Sequence, residues 1–310
     1  MIPVETVSTD LDLTPYEPFT GERTPRLEEP SSLNLTGGVL PRVDGATALF
    51  PLYSGVVEAL YPDTVRYQPR DPYDDWGDRR LKDPDLTIAL STTGPAYDRL
   101  INRLTDVIFV AQPSDRQLQA AKDAGVTLRL TPIAREAFVF FVEKDNPVDG
   151  LTVSQIRDIY SGKTTDWADL GAPEQGRILA YQRDEGSGSQ TALEKLMDGI
   201  PLMEPIGYID DMDTMVTAVE YRNLPGAIGY SFRFFVTGLM HSGVKLLSLD
   251  GVAPTEENIA NGTYPVIADI CAVTREGEED EALLSMLEWL QGPQGREIVR
   301  KSGYVPYAGK

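Results

Sequence analysis

Basic residues, cysteine and histidine are all scarce in this chain. Its 310 residues carry 28 Lys and Arg against 48 Asp and Glu, a formal net charge of −20. Neutralising a phosphate backbone needs clustered Lys and Arg, so a nucleic-acid partner is excluded and attraction to an anionic membrane surface is disfavoured. A small anion is not excluded, because screening over roughly 8 Å leaves a desolvated pocket under its own local dipoles. The lone cysteine, Cys271, has no intramolecular disulfide partner and cannot build a cysteine zinc cluster. The lone histidine, His241 in GLMHSGVK, reads as a loop residue and leaves a serine triad without a dedicated base. No window of about eighteen apolar residues exists, so no membrane-spanning helix is expected. The N-terminal MIPVETVSTD lacks a basic region followed by an apolar stretch, and no signal peptide is read there. What is present is 41% hydrophobic residues, enough for a buried core in one large α/β domain or two lobes.

Residues 1–38 read as a segment apart: TPYEPFTGERTPRLEEPSSLNLTGG carries Pro15, Pro18, Pro25 and Pro30 with little periodicity, as in extended chain lying on a surface or acting as a tether. From residue 39 the pattern changes. Leu49, Leu52, Val56 and Leu60 share a helical face, Asp44, Gly45 and Thr47 supply a turn and cap, and Pro51 falls in the first turn, where its missing N–H is harmless. Residues 66–85 are polar and loop-like. LTIALS (86–91) predicts a short strand, STTGPAYDRLINRL a turn into a helix, and DVIFVAQ (106–112) a strand covered on both faces. PSDRQLQAAKDAG predicts a helix closed by Gly125, and LRLTPIAREAFVFFVEK two strand-like runs. LTVSQIRDIYSG predicts a helix with a Thr152–Gln155 capping box and Gly162 past its end. ILAYQ, GAIGYSF and YPVIADICAVT predict strands; SGSQTALEKLMDG, DTMVTAVEY, DEALLSMLEWLQ and PQGREIVRKSG predict helices. This alternation predicts an α/β fold with mainly parallel sheets, and the apolar runs near 137–142 and 265–273 suit segments that pass between two lobes.

The most informative stretch is QRDEGSGSQTALEKL (182–196). A helix start leaves its first N–H groups without intrahelical partners and adds a partial positive charge. Gly186 and Gly188 let backbone approach a ligand, Ser187 and Ser189 add hydroxyl donors, and Arg183 adds a planar charged fork suited to a tetrahedral oxyanion. By itself the stretch reads equally as an anion site or as a serine-rich cap with Arg183 in a surface ion pair. DGATALFP (44–51) and STTGPAY (91–97) repeat the chemistry, each opening a helix, and three such junctions favour the anion reading. Two resemblances to catalytic motifs fail. SGKTT (161–165) lacks the first glycine of a phosphate-binding loop, which would be Arg157, and follows a helix. GSGSQ (186–190) ends in Gln190 where a hydrolase elbow needs glycine. Trp167 reads as packing, and no carboxylate spacing marks a metal or acid/base pair.

LTVSQIRDIYSGKTTDWADLG, QRDEGSGSQTALEKLM, LPGAIGYSF, DGATALFPLY, LDGVAPTEENIANGTYPV and QGREIVRKSGYVPY together resemble the phosphate-binding proteins of ABC phosphate transporters, in the same order over about residues 39–307. The resemblance implies an α/β, two-lobed fold of the type II periplasmic-binding-protein class with crossing hinge strands and the ligand in the interlobe cleft. The expected division is 1–38 as an extended segment, 39–136 with 270–310 as the first lobe and 137–269 as the second. It implies that Arg183, Ser187, Gly188 and Ser189 grip the oxyanion, that Thr47 with the Ala48 N–H is a contact from the first lobe, and that the second loop contributes from Ser91, Thr92 or Thr93, with Thr93 favoured. Glu185 matches an acid beside the arginine that orients it. Where relatives carry an aspartate that accepts the phosphate proton, this chain reads Gln112, Pro113 and Ser114, so Gln112 and Ser114 enter the candidate set. The implied protein is not an enzyme: a monomeric, extracytoplasmic, cell-surface solute-binding protein with no cofactor, no metal and no catalytic residue. Its partners are inorganic phosphate or a similar oxyanion and the membrane permease of an ABC transporter. The rival readings are a phosphoester hydrolase using Ser187 or Ser189, and a surface sensor or adhesion module on the same fold.

Overall fold

The computed structural model describes residues 11–36, 38–68, 86–206, 208–209, 212–221 and 226–308. Residues 1–10 of the proline-rich segment, residues 69–85 of the polar stretch, and Leu224 and Pro225 lie outside the described residues. In chain order the strands are β1 (Val43–Gly45), β2 (Val107–Ala111), β3 (Leu128–Val142), β4 (Gly150–Leu151), β5 (Leu179–Ala180), β6 (Gln182–Arg183), β7 (Tyr208–Ile209), β8 (Ala227–Phe232), β9 (Lys245–Leu246), β10 (Ser248–Leu249), β11 (Ile267–Arg275) and β12 (Val305–Pro306). The helices are α1 (Phe50–Leu60), α2 (Thr93–Ile101), α3 (Asp115–Asp123), α4 (Val153–Tyr160), α5 (Gly188–Met197), α6 (Met212–Tyr221), α7 (Glu256–Ala260), α8 (Glu281–Gln291) and α9 (Pro293–Lys301). The chain divides into two compact units, one built on Asp12–Arg135 with Asp269–Lys310 and the other on Glu136–Ala268. The long strands β3 and β11 carry the chain from one unit into the other.

In the first unit β1 and β2 pair in parallel, Val43 opposite Val107 and Gly45 opposite Phe109, and β11 runs antiparallel to β2. Every residue of β2 is buried, as its unbroken apolar run predicts. Helix α2 lays Ala96, Tyr97 and Leu100, at helical spacing, onto Ile108, Val110, Cys271 and Val273. Residues 12–36 are fastened to this unit: Gln294 accepts from Ser32 N–H (2.8 Å) and donates to the Pro30 carbonyl (2.9 Å), Leu35 N–H donates to the Leu60 carbonyl (2.8 Å), and Arg26 pairs with Glu58. In the second unit the apolar half of β3 pairs antiparallel with β8 and β9, and β5 lies parallel to β8. Phe138, Phe140, Tyr160 and Tyr230 form one aromatic cluster, with ring centroids 5.3–6.2 Å apart. Trp167 is fully buried and donates its indole N–H to the Gly226 carbonyl (3.0 Å), a packing role.

Three expectations are corrected. The large sheet is mixed rather than mainly parallel, because β3 and β11 return antiparallel to β8 and β2. LTIALS is not a ladder strand: only Ile88 bridges Val43, after which Ser91 is drawn off to Asp44. The two runs in 128–142 are one continuous strand.

Helix boundaries follow their caps. Thr152 accepts from Gln155 N–H (3.1 Å) while Gln155 Oε1 accepts from Thr152 N–H (2.7 Å), and Gly162 closes the turn in the left-handed region at φ 77°. Thr152→Ala is expected to destabilise the fold by about 1 kcal/mol, measured by urea unfolding. Lys163, in the stretch that imitates a phosphate loop, pairs with Asp158 at 3.0 Å beyond the end of α4.

Candidate functional site

In the first unit three segments leave one edge of the sheet together. β1 and β2 are parallel, and Ile88 bridges Val43 in the same sense, so the chain exits at Gly45, Ala89 and Ala111 on the carboxyl side. Each exit leads at once to a helix start: the 3-10 turn Thr47–Leu49 running into α1, Thr93 of α2, and Asp115 of α3. This carboxyl edge is where open α/β sheets bind ligands. A buried tyrosine fastens each exit. Tyr304 Oη donates to the Ala48 carbonyl (2.6 Å), Tyr53 Oη to that of Ala89 (3.1 Å) and Tyr97 Oη to that of Ala111 (2.9 Å).

Of the residues expected here, Ala48 and Ser114 are buried, Thr47 and Thr93 half-buried, and Thr92 and Gln112 exposed. The backbone N–H groups of Thr47, Ala48, Thr93 and Gly94 have no acceptor among the described residues. Ser114 caps α3, its hydroxyl accepting from Gln117 N–H (3.3 Å) while Gln117 Oε1 accepts from Ser114 N–H (2.8 Å). Ser91 is committed elsewhere, donating its hydroxyl to Asp44 Oδ2 at 2.6 Å. Thr92 holds φ 71° and ψ 174°, a conformation that costs a non-glycine residue energy.

Beneath these loops lies Asp44, fully buried, which accepts from Gly45 N–H (2.7 Å), Ser91 N–H (3.0 Å), Ser91 Oγ–H and Arg99 Nε–H (2.8 Å). Burial pushes its carboxyl up from the ordinary value, and the Ser91 hydroxyl, the Arg99 guanidinium and the two N–H groups pull the other way.

In the second unit Arg183, Ser187, Gly188 and Ser189 meet at one loop-to-helix junction. Arg183, 8% exposed, lies on β6 beside β7, and Gly186 turns the chain at φ 87°. Ser187 caps α5, accepting from Gln190 N–H at 3.2 Å. A capping box would return the Gln190 side chain to the Ser187 backbone. Instead Gln190 Oε1 accepts from Arg183 N–H (3.1 Å) and from Tyr230 Oη–H, and Tyr230 Oη also accepts from Arg183 N–H (2.8 Å). Burial raises the Tyr230 phenol well above its ordinary value and keeps it protonated as a donor. Gly188 and Ser189 N–H find no acceptor among the described residues. Ser189 Oγ is fully buried and likewise has no hydrogen-bond partner among them.

Glu185, expected to orient Arg183, is exposed and makes no hydrogen bond or ion pair with it among the described residues; Gln190 and Tyr230 hold the Arg183 backbone instead. Arg99, Gln190 and Tyr230 are the residues sequence reasoning missed. Only Gln190 carried a local signal, three residues after a serine cap.

Helix N-termini presented beyond strand ends, in units linked by two long strands, define the α/β binding-protein class of fold. The PBP superfamily domain matches residues 78–291, well over half of the chain, and the chain belongs to that family. It is 32% identical over 147 residues to phosphate-binding protein PstS 2 of Streptococcus agalactiae serotype V, covering 44% of this chain and 48% of the relative. It is 30% identical over 167 residues to phosphate-binding protein PstS of Bacillus subtilis, covering 53% of each. The chain thus spans about half the length of the curated relatives it matches. Among solved structures, a Clostridium perfringens protein assigned as a phosphate ABC transporter substrate-binding protein, with bound phosphate, superposes with a TM-score of 0.65 at 24% identity, covering 87% of this chain and 100% of that one. That likeness shows the fold.

Proposed function

We propose that this chain is an extracytoplasmic solute-binding protein that captures inorganic phosphate for the permease of an ABC importer and leaves it chemically unchanged. The observation that carries this reading is Ser189 Oγ, a fully buried hydroxyl without a partner among the described residues, at the open N-terminus of α5. A buried polar group left unpaired costs free energy, and an oxyanion accepting from Ser189 Oγ and from the Gly188 and Ser189 N–H groups removes that cost. The Arg183 side chain, on the same junction, supplies charge. The donors assigned on this unit are Arg183, Ser187, Gly188 and Ser189. On the other unit the assigned ligand-binding residues are Thr47, Ala48, Thr92, Thr93 and Ser114 as donors and Gln112 as an acceptor, the Thr47, Ala48 and Thr93 N–H groups likewise having no acceptor among the described residues. Relatives bearing the name phosphate-binding protein support phosphate over other tetrahedral anions. Turnover through Ser187 or Ser189 would need a base accepting the hydroxyl proton; Ser187 Oγ accepts from Gln190 N–H, and among the described residues neither hydroxyl donates to such a base. Among the described residues no helix is long and apolar enough to cross a membrane.

Gln112 offers a neutral carbonyl acceptor for a phosphate proton, which sulfate lacks. Calorimetric titration with phosphate, sulfate and a phosphonate is expected to rank phosphate first and sulfate about tenfold weaker, since a neutral acceptor repels sulfate less than a carboxylate would. Absence of binding by all three anions would overturn the reading and leave a sensor or adhesion role.

A further inference from the structure

The loops of the first unit that carry the assigned donors are tied to one carboxylate. Asp44 stands at the exit of β1, and its Oδ1 accepts from Gly45 N–H and from Ser91 N–H, 47 residues away. Its Oδ2 accepts from the Ser91 hydroxyl and from Arg99 Nε–H on α2, 55 residues away. Arg99 in turn donates from Nη2 to the Leu104 carbonyl at 3.0 Å, which anchors it beyond the end of its own helix. Its Nη1 is buried and has no hydrogen-bond partner among the described residues. Both side chains of the ion pair are nearly inaccessible, at 5% and 0% exposure.

An ion pair this deep is a poor source of stability, because removing both charges from water opposes their attraction and an apolar pair of similar volume often serves as well. What it supplies is placement. All the acceptor directions of Asp44 are used, so it has none left for a ligand's proton. Two of its donors precede Thr92, whose positive φ turns Thr93 and Gly94 into the first turn of α2. A third precedes Thr47 and Ala48. The N–H groups of both helix starts are therefore held from the same two oxygen atoms.

We propose that Asp44 and Arg99 are the positioning pair of the first-unit donor array, setting the Thr47–Ala48 and Thr93–Gly94 N–H groups relative to one another so that both serve a single oxyanion. This rests on the phosphate reading above. The pair touches no ligand; it acts through Ser91, Gly45 and α2.

A double-mutant cycle tests it. Calorimetry with inorganic phosphate is run on the wild type, Thr93→Ala, Asp44→Asn and the double variant, with circular dichroism as a check on folding. Thr93→Ala keeps the N–H groups and removes the hydroxyl carried with them at the start of α2, so its effect reports how that helix start is placed. It is expected to weaken binding by about tenfold in the wild-type background and by less than about threefold in the Asp44→Asn background, because a hydroxyl already misplaced has little left to lose. If Asp44→Asn does not fold, the same cycle is run on Arg99→Lys, which keeps the charge and loses the fork. Equal losses from Thr93→Ala in both backgrounds would mean that the pair acts only on the fold, and would overturn this inference while leaving phosphate binding intact. A wild-type protein that binds no phosphate would overturn the underlying reading as well.

Discussion

Arg183→Ala is expected to weaken phosphate binding by between about 30-fold and a few thousandfold, the range for removing one partner of a buried charge pair, about 2–5 kcal/mol. The size follows from where the arginine sits. It is 8% exposed, so solvent screens it little, and its backbone is held by Gln190 and Tyr230 rather than left to a mobile loop. The guanidinium remains charged at any working pH and presents parallel donors to a tetrahedral anion. Arg183→Lys keeps the charge but loses the fork, and is expected to recover only part of the affinity. Calorimetry at fixed ionic strength checks both variants. Affinity unchanged in Arg183→Ala would remove Arg183 from the site.

The second large effect lies on β3 and concerns stability. Glu136 is 1% exposed and accepts from Ala137 N–H (2.8 Å) and Phe234 N–H (3.1 Å). Burial raises its carboxyl from 4.5 to about 7, opposed by these two N–H groups and by the Arg233 guanidinium, and assisted by Glu256, which pairs with Arg233 at 3.3 Å. Unfolded, this acid loses its proton near the ordinary glutamate value; folded, it keeps it to neutrality. Between those limits the folded state binds more protons than the unfolded state, so stability falls as pH rises, by about 3 kcal/mol once the folded carboxyl is ionised. Glu136→Gln removes the titration and, like the protonated acid, keeps one acceptor oxygen. Its advantage over wild type is expected to grow from near zero at about pH 4 to about 3 kcal/mol at about pH 8, measured by urea unfolding. Parallel pH profiles for the two proteins would refute this.

The legible parts of the fold were those whose cause lies within a few residues. The Thr152–Gln155 box, the Pro51 helix start, the Gly125 and Gly162 stops and the buried run of β2 are local patterns, and each appears where the pattern put it. The serine cap at Ser187 is likewise local. The opposite holds for 128–142 and for LTIALS. Whether an apolar run continues as a strand, and whether it finds a ladder partner, depends on neighbours brought up from elsewhere in the chain.

By itself, then, the sequence determined the helix starts, their caps, the α/β class and the chemical kind of donor at each junction. Tertiary structure alone decided that Arg99 returns across 55 residues to Asp44, that Tyr230 crosses 47 to Arg183, and that the side chain of Gln190 leaves its own cap for the Arg183 backbone. A hydrogen bond between residues as far apart as the first two pairs has no signature in either segment. It forms only when packing holds the two segments at hydrogen-bonding distance, and the ordering cost of bringing them together is met by the whole core rather than by the pair itself.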